Sequence, residues 1–155
     1  MYSDVITLFN RRKQDGGDVW YPTILRGVDL NADRGAIIAK YGEQSTDNAS
    51  LHVKYSTSEG KSVVTGHDGE GNALEKVYYP PKEWARLESF SDTITFGDGN
   101  EFDFFAVGEW ADEPIQDNDY VDGLYNYMNS RYDHVYAITS VAKYSVIPHF
   151  EILAR

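Results

Sequence analysis

The chain has 155 residues, a formal net charge of −11 at neutral pH and no cysteine. The absence of cysteine excludes disulfides, thiolate metal ligands and cysteine nucleophiles. The acidic balance argues against a general DNA binder, because such proteins use Lys and Arg to neutralise phosphates.

The length fits one domain over residues 1–155, with a core that needs no covalent cross-link. Aromatic residues make up 14% of the chain and include 12 tyrosines. Aromatic side chains fit the pleated surface of a sheet, which favours a β-rich core. Tyr and Trp are also enriched at protein interfaces, so both interpretations stay open.

The first third of the chain alternates strand and turn signals. Apolar alternation predicts strands over 5–12 and 19–28, joined by the glycine turn 15–18. Pro22 has no N–H to donate, which places the second strand at a sheet edge or a bulge. The shorter segments that follow are predicted as a loop over 29–34, a strand or helical turn over 35–41, a turn over 42–48 and a strand over 51–55.

Residues 57–72 are rich in glycine and polar residues, a composition typical of flexible segments. We predict either a long loop here or a hairpin with residues 63–65 in one arm. The segment is our candidate for a projecting loop that reaches a neighbouring subunit or a channel. Its candidate contact residues are Ser58, Glu59, Lys61, His67, Asp68, Glu70 and Asn72.

The middle of the chain continues with short apolar runs. Pro80 and Pro81 stop a strand over 76–79, and Pro81 suits the first position of a short helix. Further strands are predicted over 93–96 and 102–107, the latter buried on both faces.

One main helix is predicted near 113–129, within the segment 112–129. Asp117 or Asp119 can cap its start. An apolar stripe for packing on a sheet is formed by Val121, Leu124, Tyr125 and Met128.

Two strands close the chain, over 135–141 and 147–153, with a turn around 142–145. The count is seven to eight strands and one main helix. The predicted fold is therefore mainly β, a small barrel or sandwich with the helix packed on the sheet.

The sequence contains only weak matches to catalytic or metal-binding motifs. The run 117–123 resembles a calcium loop, but Val121 occupies a ligand position and no Glu closes the loop, so a capped helix start is the better interpretation. His67 beside Asp68 and Glu70 has no specific ligand spacing. His149 and Glu151 share a strand face, where a hydrogen bond between strands is as good an interpretation as a catalytic base. We predict no enzyme activity, no cofactor and no metal site.

The basic cluster Arg11, Arg12 and Lys13 is either a solvated strand end or a partner for the acidic face of a neighbouring copy. We add the three tryptophans Trp20, Trp84 and Trp110 to the candidate interface. Neither a signal peptide nor a membrane span is expected, because the chain has no basic start followed by a long apolar run.

Several strings spread along the chain together resemble a family of small tailed-phage and prophage proteins of head completion and head–tail joining. The strings are 19–23 (VWYPT), 80–84 (PPKEW), 95–98 (TFGD), 107–109 (VGE), 138–141 (ITSV) and 148–152 (PHFEI). Their order, more than any single string, makes the resemblance.

The resemblance implies a non-enzymatic virion protein: a small β-barrel that forms a ring, such as a hexamer or dodecamer, in the neck. Its partners would be the portal or adaptor and the tail proteins, and DNA would pass through without specific binding. It implies assembly in the host cytoplasm and a place in the head–tail connector, as a head-closure or stopper subunit.

A tail terminator of the same neck is the alternative. A carbohydrate-binding or adhesion module that uses exposed Tyr and Trp is a more distant one.

Overall fold

A computed structural model describes residues 2–32, 48–99 and 102–155. The predictions for 35–41 and for most of 42–48 lie outside these residues. The described strands are β1 (Asp4–Arg12), β2 (Val19–Ala32), β3 (Ala49–Lys54), β4 (Ser56–Ser58), β5 (Lys61–His67), β6 (Ala73–Tyr78), β7 (Thr93–Ile94), β8 (Phe104–Val107), β9 (Ile115–Gln116), β10 (Val135–Tyr144) and β11 (His149–Ala154). The described helices are α1 (Pro81–Ala85) and α2 (Leu124–Arg131), with a 3₁₀ turn at Asp117–Asp119 before α2.

Six strands close into a barrel in the order β1–β8–β10–β11–β3–β2, and β2 returns to β1. All six pairings are antiparallel. Closure requires the long strand β2 to pair with β1 over Val19–Val28 and with β3 over Asp29–Ala32. Gly27, with a φ of +67°, lies just before this change of partner and adopts a conformation that favours glycine.

The remaining strands extend the sheet beyond the barrel. Strands β5, β6 and β7 continue from β2, β4 pairs with β5, and β9 pairs with the start of β2. Pro22 pairs with Phe9 of β1, and the described pairings on its other side, at Trp20 and Ile24, leave it between β9 and β5. A residue without an N–H is tolerated there because no ladder bond is needed on that side.

Two hydrophobic clusters follow from the alternation of side chains across the strands. The first fills the barrel and includes Leu8, Leu51, Phe105, Phe150 and Ile152. The second lies on the outer face and contains Phe9, Trp20, Phe104, Leu124 and Met128. Helix α2 therefore covers one outer face of the barrel, and the mainly β fold with one main helix packed on the sheet is confirmed.

The predicted strand count was too low, since the structure describes eleven strands. The predicted loop over 29–34 was wrong for Asp29–Ala32, which continue β2 because β3 pairs with them. The alternatives for 57–72 resolve to hairpins: β4 pairs with β5, and β5 pairs with β6. The predicted strand 93–96 is only Thr93–Ile94.

The predicted helix near 113–129 was mostly wrong, because the helix spans only Leu124–Arg131. Ile115 and Gln116 instead pair with β2 as a strand, and Gly123 has a φ of +88°, which an α-helix does not allow. Val121, expected on the buried stripe, is fully exposed, whereas Leu124 and Met128 are buried.

The last two strands form a hairpin, as predicted, but its turn lies at 145–148 and not around 142–145. Tyr144 and His149 form the last pair of the β10–β11 ladder, so the turn begins only after Tyr144. Strand β11 lies between β10 and β3, so both of its edges are covered within the subunit.

Candidate functional site

The most prominent surface feature is the end of the β10–β11 hairpin. Residues 142–148 are all exposed, and Val146 and Ile147 in the turn expose 95% and 74% of their surface. Tyr144 is also exposed and stacks on His149, with ring centres 4.9 Å apart. The base of this hairpin tip is fixed, because Tyr55 donates its hydroxyl hydrogen to the Tyr144 carbonyl at 2.9 Å.

Two lysines, Lys143 and Lys54, lie beside the hairpin tip. The Lys143 ammonium lies 5.2 Å from the ring centre of Tyr55. Lys54 is exposed and pairs with His149 across the β3–β11 ladder. The segment 142–149 contains no Asp or Glu, although the chain as a whole has 25 of them.

An aromatic pocket of about 100 Å³ lies beside α2, at the other end of β10. Its lining includes Phe9, Trp110, Tyr120, Leu124, Met128 and Tyr132. Trp110 and Tyr132 are each about 40% exposed, and their ring centres are 4.4 Å apart. We refer to this feature as the aromatic pocket.

Acids outnumber bases around the aromatic pocket, where Arg131 lies 4.7 Å from the ring centre of Tyr127 and Arg26 pairs with Glu109 at 2.7 Å. Residues 109–122 include no Lys or Arg, and their acids are Glu109, Asp112, Glu113, Asp117, Asp119 and Asp122. One of them is structural: Asp117 Oδ1 accepts from the Trp20 indole N–H and from the Leu124 backbone N–H, both at 2.8 Å. Asp117, one of the two predicted caps, therefore caps α2, although it lies seven residues before the first helical residue, Leu124.

The candidate loop over 57–72 is held by its own hydrogen bonds at the β5–β6 turn. The Asp68 carboxylate accepts from the backbone N–H groups of Glu70 and Asn72, both at 2.9 Å, and from the Asn72 side chain at 3.0 Å. These bonds, those of Asn72 first, lower the pKa of Asp68. Gly69 N–H also donates to Asp112 at 2.8 Å. The turn is thereby tied to the segment before α2.

The other candidate residues of that segment lie in two places. Ser58, Glu59 and Lys61 form the exposed β4–β5 turn, where Glu59 has a φ of +52°. His67 ends β5 with a half-buried ring, and its Nδ1 has no hydrogen-bond partner among the described residues. The structure does not bring the two groups together into one loop.

The basic cluster is engaged within the subunit. The Arg12 guanidinium donates to the carbonyls of Trp84 at 2.8 Å and Leu87 at 2.6 Å, and it lies 4.0 Å from the ring centre of Phe90. Arg11 lies 5.1 Å from the ring centre of Trp20. Arg12 thus anchors the end of α1 to β1. With Lys13 and Lys82, both arginines line a groove of about 520 Å³.

The three tryptophans differ in accessibility. Trp20 and Trp84 are buried, and the Trp84 indole N–H donates to Thr93 at 2.9 Å. Trp110 alone of the three presents substantial surface to solvent. Of the predicted interface tryptophans, it is the one available to a partner on the folded subunit.

The histidine and glutamate of the last strand have other partners than each other. Glu151 Oε2 lies 2.9 Å from His52 Nε2 on the neighbouring strand β3, and Asp29 of β2 lies 3.6 Å from His52 Nδ1. His149 Nδ1 lies 2.6 Å from the Ile147 carbonyl. His52 therefore joins three barrel strands from outside. Within 2–32, 48–99 and 102–155, no group of three or more His, Asp or Glu side chains could hold a metal ion.

One carboxylate is buried at an end of the barrel. Asp103 accepts N–H groups from the Arg11 backbone at 2.9 Å, the Gly97 backbone at 2.7 Å and the Asn10 side chain at 2.8 Å. Burial raises the pKa of Asp103 to about 6, although these donors each lower it. Asn10 also donates to the Thr95 carbonyl at 2.7 Å, so the group ties Thr95, Gly97 and Asp103 to β1. Sequence reasoning missed this network, because its members are distant in the chain.

The whole chain, residues 1–155, matches the model of the family DUF6751, described as a family of unknown function, and the chain belongs to this family. Neither the curated proteins nor the solved structures contain a match to the chain. Among the described helices, none has the length and apolar character required to cross a bilayer.

Proposed function

We propose that the protein is a structural subunit of a tailed-phage virion that assembles with copies of itself into a ring in the neck between head and tail. The observation that carries this proposal is the exposed apolar tip on a closed barrel. In a barrel with its β11 edges already covered, Val146 and Ile147 make no contribution to the core. Such exposure is typical of a surface that contacts another protein.

The order of the sequence strings that resemble head–tail joining proteins supports the neck as the place of assembly. The charge is compatible with a channel for DNA: a net charge of −11 repels phosphates, so a duplex can pass a ring of such subunits without being held. Within the neck, we favour a head-closure or stopper subunit over a tail terminator.

Two measurements test the proposal. Light scattering after size exclusion, with negative-stain microscopy, is expected to give a closed ring of defined mass. Mass spectrometry of purified virions is expected to detect the protein at a stoichiometry equal to that ring. A protein that stays monomeric at every concentration and is absent from virions contradicts the proposal, and glycan-array binding by such a monomer would favour the adhesion alternative.

A further inference from the structure

The central residues of the hairpin turn 145–148 are unusual for a turn. Turn positions favour Gly, Pro, Asn, Asp and Ser, and Ser145 and Pro148 at the ends of this turn follow that preference. Between them, Val146 and Ile147 expose 95% and 74% of their surface. Two adjacent branched apolar side chains at the end of a hairpin gain nothing from water and are available for burial against a partner.

The aromatic pocket lies too far away to receive the tip of its own subunit. Strand β10 begins at Val135, which belongs to the outer cluster beside α2, and ends at Tyr144 next to the tip. A strand of 10 residues spans roughly 30 Å. Because β10 is fixed in the barrel by β8 and β11, the two features remain at opposite ends of the molecule.

Tip and pocket are complementary in size and in charge. The pocket volume of about 100 Å³ equals the volume of about three water molecules in liquid water. One branched aliphatic side chain has a comparable volume. The tip carries Lys143 and no acid, whereas residues 109–122 beside the pocket include six acids. Of the cations nearby, Arg26 pairs with Glu109 and Arg131 lies over the Tyr127 ring, so acids remain in excess on the pocket side. Opposite charges on the two surfaces favour this pairing and disfavour pocket against pocket.

We propose that the tip of one copy docks on the aromatic pocket of the next copy of the same chain, with the Val146 side chain in the pocket and Ile147 against its rim. The contact joins two different surfaces, so repetition gives a ring when the rotation closes. This inference deepens the proposed function and rests on it, since it names the contact by which the subunits would join.

Site-specific cross-linking tests the contact directly, because the chain has no cysteine of its own. Ile147→Cys and Ala111→Cys place single thiols on the tip and in the pocket lining. When the two variants are mixed and oxidised, we expect a disulfide-linked heterodimer that exceeds either homodimer. A third variant with Cys in place of the exposed Ser58 is the control and is expected to link to neither.

Two further variants separate this contact from assembly in general. Val146→Ser with Ile147→Ser removes the tip, and Ala111→Arg fills the pocket; each alone is expected to be monomeric with an unchanged circular dichroism spectrum. Mixed, they retain one intact tip and one intact pocket, so a heterodimer is expected and no ring. If both variants still form rings of the wild-type mass, the tip-to-pocket contact is wrong while the proposed function stands. If the wild type itself is only monomeric and gives no cross-link, both proposals are wrong.

Discussion

Replacement of Asp103 by Asn should change how the stability of the protein depends on pH. The Asp103 carboxylate is buried, and its pKa is about 6 in the folded protein against 3.8 for an ordinary aspartate. The folded state therefore binds the proton more tightly than the unfolded state does. Protonation favours folding, so this group stabilises the protein increasingly as the pH falls through 6, and the gain is complete below 3.8.

The size of the effect follows from the two pKa values. Between pH 7 and pH 5 the linkage relation gives a gain of about 1 kcal/mol from this one group. For a chain of this length, that corresponds to a rise in Tm of roughly 2–4 °C. Other carboxylates also titrate as the pH falls, so the informative quantity is the difference between wild type and variant.

Urea unfolding of the wild type and of Asp103→Asn at pH 7, 6 and 5 isolates the contribution of Asp103. The variant should lack the gain of about 1 kcal/mol on acidification, because an amide does not titrate. Asp15→Asn in the exposed β1–β2 turn is the matched control and should keep the wild-type pH dependence. Identical pH dependence in all three proteins would refute the reasoning. Carbon NMR of the Asp103 carboxyl gives a second readout, and a midpoint below 4 would contradict it.

Three further substitutions probe contacts described above. Asp117→Ala leaves the Trp20 indole N–H and the first N–H of α2 unpaired, so the free energy of unfolding should fall by about 1–3 kcal/mol. Urea titrations followed by tryptophan fluorescence measure this change. The control Asp119→Ala, in the exposed 3₁₀ turn, should leave the free energy of unfolding nearly unchanged. Arg12→Lys loses the forked hydrogen bonds to the end of α1, and a Tm decrease of roughly 2–6 °C is expected in calorimetry. Gly97→Ala places a Cβ 2.8 Å from the Asp103 carboxylate and should cost about 1–3 kcal/mol; an unchanged midpoint of unfolding would contradict the close packing there.

Sequence patterns predicted the strands whose contacts are local or regularly alternating. Strand β1 and the closing hairpin alternate apolar residues onto the barrel interior, and their positions were predicted to within a few residues. The extent of β2 could not be predicted, because residues 29–32 are polar in part and become a strand only through pairing with β3. Similarly, the sequence around Ile115 and Gln116 does not predict a strand. These two residues form one because the edge of β2 is available for pairing.

The candidate site was predictable only in part. A projecting element was expected over 57–72, but two adjacent exposed apolar residues, Val146 and Ile147, lie in the 145–148 turn. From the sequence, Ile147 was predicted to begin the last strand, since apolar residues are usually buried. The exposure of Val146 and Ile147 depends on where the ladder to β10 ends, and this is decided by the register with His149.

The position of β11 has a consequence for the order in which the fold can form. Ribosomes deliver β3 and β2 about a hundred residues before β11, the strand that separates β3 from β10 in the finished barrel. Until His149–Ala154 have left the exit tunnel, β3 and β10 each present a backbone edge with free N–H and C=O groups. Barrel closure therefore joins segments that are distant in the chain, which favours slow folding. A nascent or prematurely terminated chain would be vulnerable to β-pairing with its neighbours on a polysome, a hazard that chaperones can relieve.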